Sequence, residues 1–377
     1  MGVPIARVFG IEIRVSFGWT IVLAVVAVIS VGQLTAVDPD LPSHVAWILG
    51  AVVSLGFFVS SVSHDLAHAI VARRRGVDVS SILVSFFGGA TPLDPTSPDP
   101  RHDAAIAASG PLASIGISLV LLGLTAGATA LGEDFSAAAG VLAVLVFLNL
   151  VLGLVNLVPA YPLDGGRIVR DLAWRRSGSE RNGWNMASRT GRVTGYLVVA
   201  AGIAVLLAEG GYMGAMLALT GWFLVLSANQ LRDRVRLDDL IGGHTVSEAM
   251  DADPVTVSPS LTVDTFASQL LDGESALTAV PVLEDEQIVG MLGVRQVRGM
   301  RRDQWTTTRV EDVMLKPPKL SMLAPGEPMK GALERIHRAG VDGLPVVEDG
   351  RLVGVLTRLG VGLFIRARRG VVSADVQ

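Results

Sequence analysis

Six long apolar runs constrain this chain more than any other feature. A helix that crosses a bilayer needs roughly 20 consecutive apolar residues. Runs that qualify extend over Phe17–Leu34, Ala46–Val71, Ala104–Leu131, Ala137–Leu157, Val193–Ala208 and Met213–Ala228. The fifth is the shortest. Only 18% of the 377 residues are charged and 50% are hydrophobic, against about 25% charged in an average soluble domain. Lipid is therefore the solvent for much of the chain. The segment before the first run alternates from Arg7 to Phe17 and has no small-residue cleavage site after it, so the first run is expected to be a retained span.

The charges between the runs assign an orientation. The segments after spans one, three and five carry Asp38 and Asp40, Glu133 and Asp134, and Glu209, with no Lys or Arg. The segments after spans two, four and six carry Arg73, Arg74, Arg75 and Arg101, then Arg167 through Arg192, then Arg232, Arg234 and Arg236. Basic loops stay in the cytoplasm. The pattern predicts a multi-pass protein of the cell membrane with both termini cytoplasmic. A net charge of -4 gives no footing for nucleic acid. The absence of cysteine excludes disulfides and thiolate metal sites, so any metal must use His and carboxylate ligands.

From His244 onward hydropathy falls and short β-like runs alternate with helical patterns. Val246-Ser-Glu-Ala-Met250 returns as Val310-Glu-Asp-Val-Met314, Pro281-Val-Leu-Glu-Asp as Pro345-Val-Val-Glu-Asp, and Val289-Gly-Met-Leu as Val353-Gly-Val-Leu, each 64 residues later. A constant offset marks a structural repeat. The pair resembles a tandem CBS domain, or Bateman module, over about Gly243 to Ile365. The expected organisation is a membrane domain over 1–231, a linker over 232–243, and repeats over 244–300 and 308–368. The fold class is a polytopic α-helical membrane domain followed by a soluble α/β tandem CBS domain.

Within the second span lies Ser63-His64-Asp65-Leu66-Ala67-His68-Ala69. Two His at i and i+4 share one helix face, and neutral imidazoles so placed suit one zinc ion. The usual motif is H-E-x-x-H, with Glu as general base; Asp65 stands in its place. Buried helix histidines are the plainer reading. Against it, these groups lie about ten residues before the Arg73–Arg75 run, roughly 15 Å inside the cytoplasmic edge at 1.5 Å per residue, where ionisable groups are costly and usually functional. About a hundred residues later, Asn156-Leu-Val-Pro159-Ala-Tyr-Pro162-Leu-Asp164-Gly-Gly-Arg167 ends the fourth span with a helix break. Broken backbone at that depth is tolerated beside protein or a water-filled cavity. Asp164 is then either a third metal ligand or an ordinary solvated loop carboxylate.

His64-Asp65-x-x-His68 together with Asn156-x-x-Pro159-x-x-Pro162-Leu-Asp-Gly-Gly resembles the paired signatures of the site-2 proteases, intramembrane zinc metalloproteases. Arg7-Val-Phe-Gly-Ile-x-Ile-Arg-Val, Phe86-Phe-Gly-Gly-Ala and Ser109-Gly110-Pro111-Leu-Ala look like further landmarks of that family. The resemblance covers about residues 1 to 230. With the CBS pair, the whole chain is similar to the Rip-type, CBS-bearing branch.

The resemblance implies one catalytic Zn2+ per chain, held by His64, His68 and Asp164. Asp65 takes the general-base position, and Asn156 the position that orients substrate or stabilises the oxyanion. The implied substrate is a single-span membrane protein, an anti-sigma factor being one such class, cleaved within the lipid bilayer in regulated intramembrane proteolysis. Ser80 to Thr91 matches a membrane-associated β region that pairs with extended substrate, or is a plain amphipathic hairpin. Asp65 is one methylene shorter than the family's Glu. That leaves three readings: a working protease, a slow one, and a pseudoprotease scaffold. A CBS-gated metal ion transporter is the alternative from another class. Adenosyl sites of CBS domains use a Thr with an Asp three residues on; the second repeat keeps Thr357 but has Gly360 in the Asp position, and the first has Gly293 and Gln296. An adenine nucleotide and a homodimer or gating role are both open partners for it.

Overall fold

The chain opens with a hairpin: β1 (Val3–Val8) and β2 (Ile11–Val15) pair antiparallel. Phe9 and Gly10 both have positive φ, 50° and 75°, as a two-residue turn matched to strand twist requires. Alternation puts Ile11 and Ile13 inside. The computed structural model describes residues 2–84, 100–132, 136–272, 279–317 and 320–374. The Phe86–Ala90 landmark and most of the expected β region lie outside these. Its first part forms β3 (Ser81–Val84), which adds parallel to β2.

Two compact units divide the chain, Met1–Val235 and Arg236–Gln377. Six helices among the described residues are long and apolar enough to span a membrane. They are α1 (Gly18–Val37), α2 (Ser43–Arg74), α3 (Pro100–Ala130), α4 (Ser136–Asn156), α6 (Glu180–Glu209) and α7 (Tyr212–Ile241). Between α4 and α6 lies α5 (Asp164–Ser177), which is not among these spans. The helices correspond one to one with the six apolar runs. They leave large side chains such as Ile21, Leu119, Leu197 and Leu207 facing outward. In water such a surface would be an aggregation patch; in lipid it is the normal exterior.

Apolar side chains have no preference for one another over lipid, so the helices associate through close packing and hydroxyl bonds. Ser54 donates to Leu23 O (2.7 Å), Ser118 to Val146 O (2.9 Å) and Ser188 to Ala228 O (2.9 Å). Gly195 and Gly202 of α6 face Gly221 and Gly214 of α7 so closely that a Cβ on any of them would lie within 3 Å of the other backbone. Arg73, at the end of α2, donates to Phe9 O, Gly10 O and Val79 O. It ties the sheet to the helix that carries the His pair.

Helices exceed the apolar runs at their polar ends. α6 starts at Glu180, where the Ser179 hydroxyl accepts from Asn182 N–H. α7 continues to Ile241, so most of the segment expected as linker, 232–243, is helical. Its charged residues carry no apolar signal, but its Arg and Leu residues are good helix formers.

In the second unit, α8 (Val263–Asp272), β4 (Ala279–Glu284), β5 (Gln287–Gly293) and α9 (Val294–Arg298) form one repeat. After α10 (Val310–Val313) come α11 (Met329–Ala339), β6 (Gly343–Glu348), β7 (Arg351–Thr357) and α12 (Arg358–Ala374). The offset of 64 holds in three dimensions. Asp285 and Asp349 both have positive φ at the hairpin turns. Met250 packs on Gly354 and Met314 on Gly290. The repeats are interlocked, because Asp251 pairs with Val355 of the second hairpin and Leu315 with Met291 of the first. Neither repeat completes its core alone.

Candidate metal centre

α2 carries His64 and His68 inward, both buried, with ring centroids 5.0 Å apart. α5 brings in the third group from the break after α4. Here Leu157–Leu163 folds back over the start of α5, so closely that a Cβ on Gly165 would stand 2.2 Å from Val158 O, and one on Gly166 2.6 Å from Tyr161 N. The two glycines after Asp164 therefore let the carboxylate at the first position of α5 reach the His pair.

Asp164 Oδ2 lies 3.2 Å from His64 Nε2 and 3.2 Å from His68 Nε2. Asp164 Oδ1 faces the Arg167 guanidinium at 3.9 Å. The other ring nitrogens decide what those distances mean. His68 Nδ1 donates to Ile106 O at 2.7 Å. A carbonyl only accepts, so in the neutral ring Nε2 is a bare lone pair. His64 Nδ1 bonds the buried Ser114 hydroxyl at 2.9 Å, which accommodates the same tautomer. Lone pairs aimed at a carboxylate oxygen 3.2 Å away repel unless a cation is shared between them. Two ligands each 2.0–2.1 Å from a tetrahedral zinc stand about 3.3 Å apart, so the donor set fits that ion. Among the described residues, these three are the His and carboxylate groups whose ligand atoms converge within 4.8 Å. Their Nδ1 partners, Ile106 O and Ser114 Oγ, supply the outer hydrogen bonds that fix ring orientation. Both come from α3.

Gly110 of α3 closes the site from that side. A Cβ there would lie 2.2 Å from His68 Nε2 and 2.6 Å from His64 Nε2. The sequence marks Ser109-Gly110-Pro111 only as a landmark; its role needs the distance. Asp65 is half-buried on the next position of α2 and forms no hydrogen bond or ion pair among the described residues. Its carboxylate lies within electrostatic reach of His64, His68 and Asp164. Asn156 ends α4, and its Nδ2 donates to Leu152 O at 2.8 Å within its own helix. It is not drawn into the His–His–Asp group.

Next to this centre is a charged cluster that nothing in the sequence singled out. Arg170 is 3% exposed. It donates to Asp103 Oδ2 (2.8 Å) and Asp171 Oδ1 (2.6 Å) and stacks on Trp184 at 4.4 Å. Burial pushes the Asp171 carboxyl up to about 6 against the lowering effect of Arg170. In the CBS unit, the positions compared with adenosyl-site residues form helix caps. Gln296 Oε1 accepts from Gly293 N–H, and Thr357 Oγ1 from Gly360 N–H.

A domain of six long apolar helices with a buried His–His–carboxylate group suits a metal-binding protein of a membrane. Comparison with known proteins agrees. Residues 52–138 and 131–198 match Peptidase family M50, and residues 246–301 and 310–360 match the CBS domain. The chain is 34% identical over 373 residues to the zinc metalloprotease Rip3 of Mycobacterium tuberculosis, covering 97% of this chain and 93% of that one. It is 26% identical over 358 residues to a zinc metalloprotease of Methanocaldococcus jannaschii, covering 94% and 93%. The solved site-2 protease from Methanocaldococcus jannaschii is 27% identical over 61% of this chain and 94% of that chain, with a TM-score of 0.39. The chain belongs to peptidase family M50, the site-2 proteases: it is a multi-pass membrane zinc metalloendopeptidase with a C-terminal CBS pair.

Proposed function

We propose that the protein cleaves the membrane-embedded segment of a single-span membrane protein, using one zinc per chain held by His64, His68 and Asp164. The observation that carries this reading is the convergence of Asp164 Oδ2 on both Nε2 atoms at 3.2 Å, within helices built to face lipid. Zinc, when bound, polarises the scissile carbonyl and acidifies water. Asp65 accepts the proton of the attacking water and returns it to the leaving amine. Asn156 meets the substrate after releasing its bond to Leu152 O. Peptide carbonyls in an intact helix are already hydrogen-bonded, so the favoured substrate segment holds weak helix formers and unwinds before cleavage. The sheet β1–β2–β3 offers it an edge for strand addition. The basic loops place this edge, both termini and the CBS pair on the cytoplasmic side. Because Gln296 in one repeat and Gly360 in the other stand where the ribose-contacting Asp is expected, the pair acts as a dimerisation or gating module rather than as an adenine-nucleotide sensor.

A second reading follows from one side chain. Asp65 stops about 1–1.5 Å short of where Glu would reach, and a positional error near 1 Å costs about a hundredfold in rate. A scaffold that captures substrate without turnover is the result in the limit. The deciding experiment measures zinc stoichiometry on the purified chain and cleavage of a single-span reporter in vesicles, for wild type, His64→Ala and Asp164→Ala. One zinc and product in wild type, both lost in the variants, support the protease. Zinc without product supports the scaffold. No stoichiometric zinc in wild type removes the metal site and both readings with it.

A further inference from the structure

We infer that Asp103 and Arg170 are positioning residues for the metal centre, a buried clamp that holds the helix carrying Asp164 at fixed distance from the His pair. The inference rests on the metal-site reading above. Its basis is where the two residues stand. Asp103 lies in the first turn of α3. One turn further along, the same helix presents Ile106 O to His68 Nδ1, and beyond that the Ser114 hydroxyl to His64 Nδ1. Thus α3 sets the orientation of both rings. Arg170 lies on α5, six residues after Asp164 and so about 9 Å along the helix axis. The third ligand depends on where α5 sits against α3, and a buried charged link between the two packed helices is the Arg170 Nη2 to Asp103 Oδ2 bond at 2.8 Å.

The rest of the cluster keeps that bond from wandering. Arg170 Nε is committed to Asp171 Oδ1 at 2.6 Å. The guanidinium lies over Trp184, whose Nε1 donates to Glu180 Oε1 at 3.2 Å. Gly183 lets α6 approach until a Cβ there would be 2.6 Å from Arg170 O. α5 is therefore held between α3 and α6. Asp171 Oδ2 is buried with no hydrogen-bond partner among the described residues, so the cluster is not arranged for the greatest stability. Buried ion pairs in general contribute little net stability against apolar replacements, and their best-attested use is to fix register. Register is what this centre needs, because zinc ligands must sit within about 0.2 Å of their bonding distances. Asp103 and Arg170 touch neither metal nor substrate; they act through the backbone of α5.

The test uses the full chain in detergent. Zinc affinity is measured by competition with a chromophoric chelator, and the visible spectrum of the Co2+-substituted protein reports ligand geometry. Asp103→Asn and Arg170→Gln should each weaken zinc binding about tenfold or more, the range for outer-shell partners. They should also shift the Co2+ bands away from the tetrahedral pattern of wild type. Asp103→Glu, which restores the charge, should recover most of the affinity. If Arg170→Gln does not fold, Asp103→Asn decides, since it leaves Arg170 a neutral acceptor. Wild-type zinc affinity and an unchanged Co2+ spectrum in folded Asp103→Asn would overturn the clamp while leaving the metal site intact. A wild-type chain that binds no zinc would instead overturn the reading beneath it.

Discussion

Replacing Gly110 with Ala adds one methyl group to the molecule, directed at the metal centre. The new Cβ would stand 2.2 Å from His68 Nε2 and 2.6 Å from His64 Nε2, where ordinary contact begins near 3.4 Å. The His68 ring must therefore retreat by roughly 1.2 Å. It is not free to do so, because its Nδ1 is bonded to Ile106 O, one turn from residue 110 on the same helix. A swing of that size breaks this bond or moves Nε2 off the ion, and zinc sites tolerate about 0.2 Å. The expected result is a fall in zinc affinity of at least about 100-fold, equivalent to about 2.7 kcal/mol. The zinc-free fold should lose less, since an overpacking cost of about 1–3 kcal/mol is partly offset by Ala being a better helix former than Gly by about 1 kcal/mol. Chelator competition reads the affinity, and thermal unfolding of the zinc-free protein in detergent reads the fold. A Gly110→Ala protein that holds one zinc with wild-type affinity would refute the geometry assigned to this centre. A loss of zinc accompanied by unfolding of the zinc-free chain would show that Gly110 serves packing instead.

Asp65→Glu should leave zinc affinity unchanged and raise reporter cleavage if the pocket suits the longer acid; no product with either residue, with zinc bound, points to the scaffold reading. Asp171 should make stability depend on pH. Its folded pKa near 6 lies above the ordinary 3.8, so folding takes up a proton there between about pH 4 and 6. Stability from this group is present below that window, falls as pH rises through it, and is level above. Asp171→Asn should flatten that slope in chemical unfolding curves; an identical slope would show that Asp171 does not titrate in this range. Gly202→Val should cost about 1–3 kcal/mol as an overpacking change, because its Cβ would meet Ala218 N at 2.3 Å. Unfolding in mixed micelles reads that loss, and unchanged stability would mean that α6 and α7 are not in close contact there.

Much of this protein is legible along the chain. The preference of a span for lipid adds up residue by residue, so the apolar runs give the number of crossing helices without reference to any partner. The repeat is legible for a similar reason: Val246 and Val310, or Pro281 and Pro345, occupy equivalent places, and a constant offset survives folding. His64 and His68 are one helical turn apart, so their shared face is also a local fact. Asp164 stood out as a candidate because two Pro and two Gly break a helix at membrane depth, and the family resemblance gave it the ligand role. What the sequence could not determine is which atoms meet. The tautomers of the His pair depend on Ile106 and Ser114, 38 and 50 residues away. The closeness of Gly110 to both rings, and the joining of Asp103 to Arg170 across 67 residues, depend on how each helix is rotated and packed. Hydropathy is blind to rotation within lipid, where every outward face reads alike. Side-chain hydrogen bonds and sub-ångström packing select one rotation, and these exist only after the helices have met.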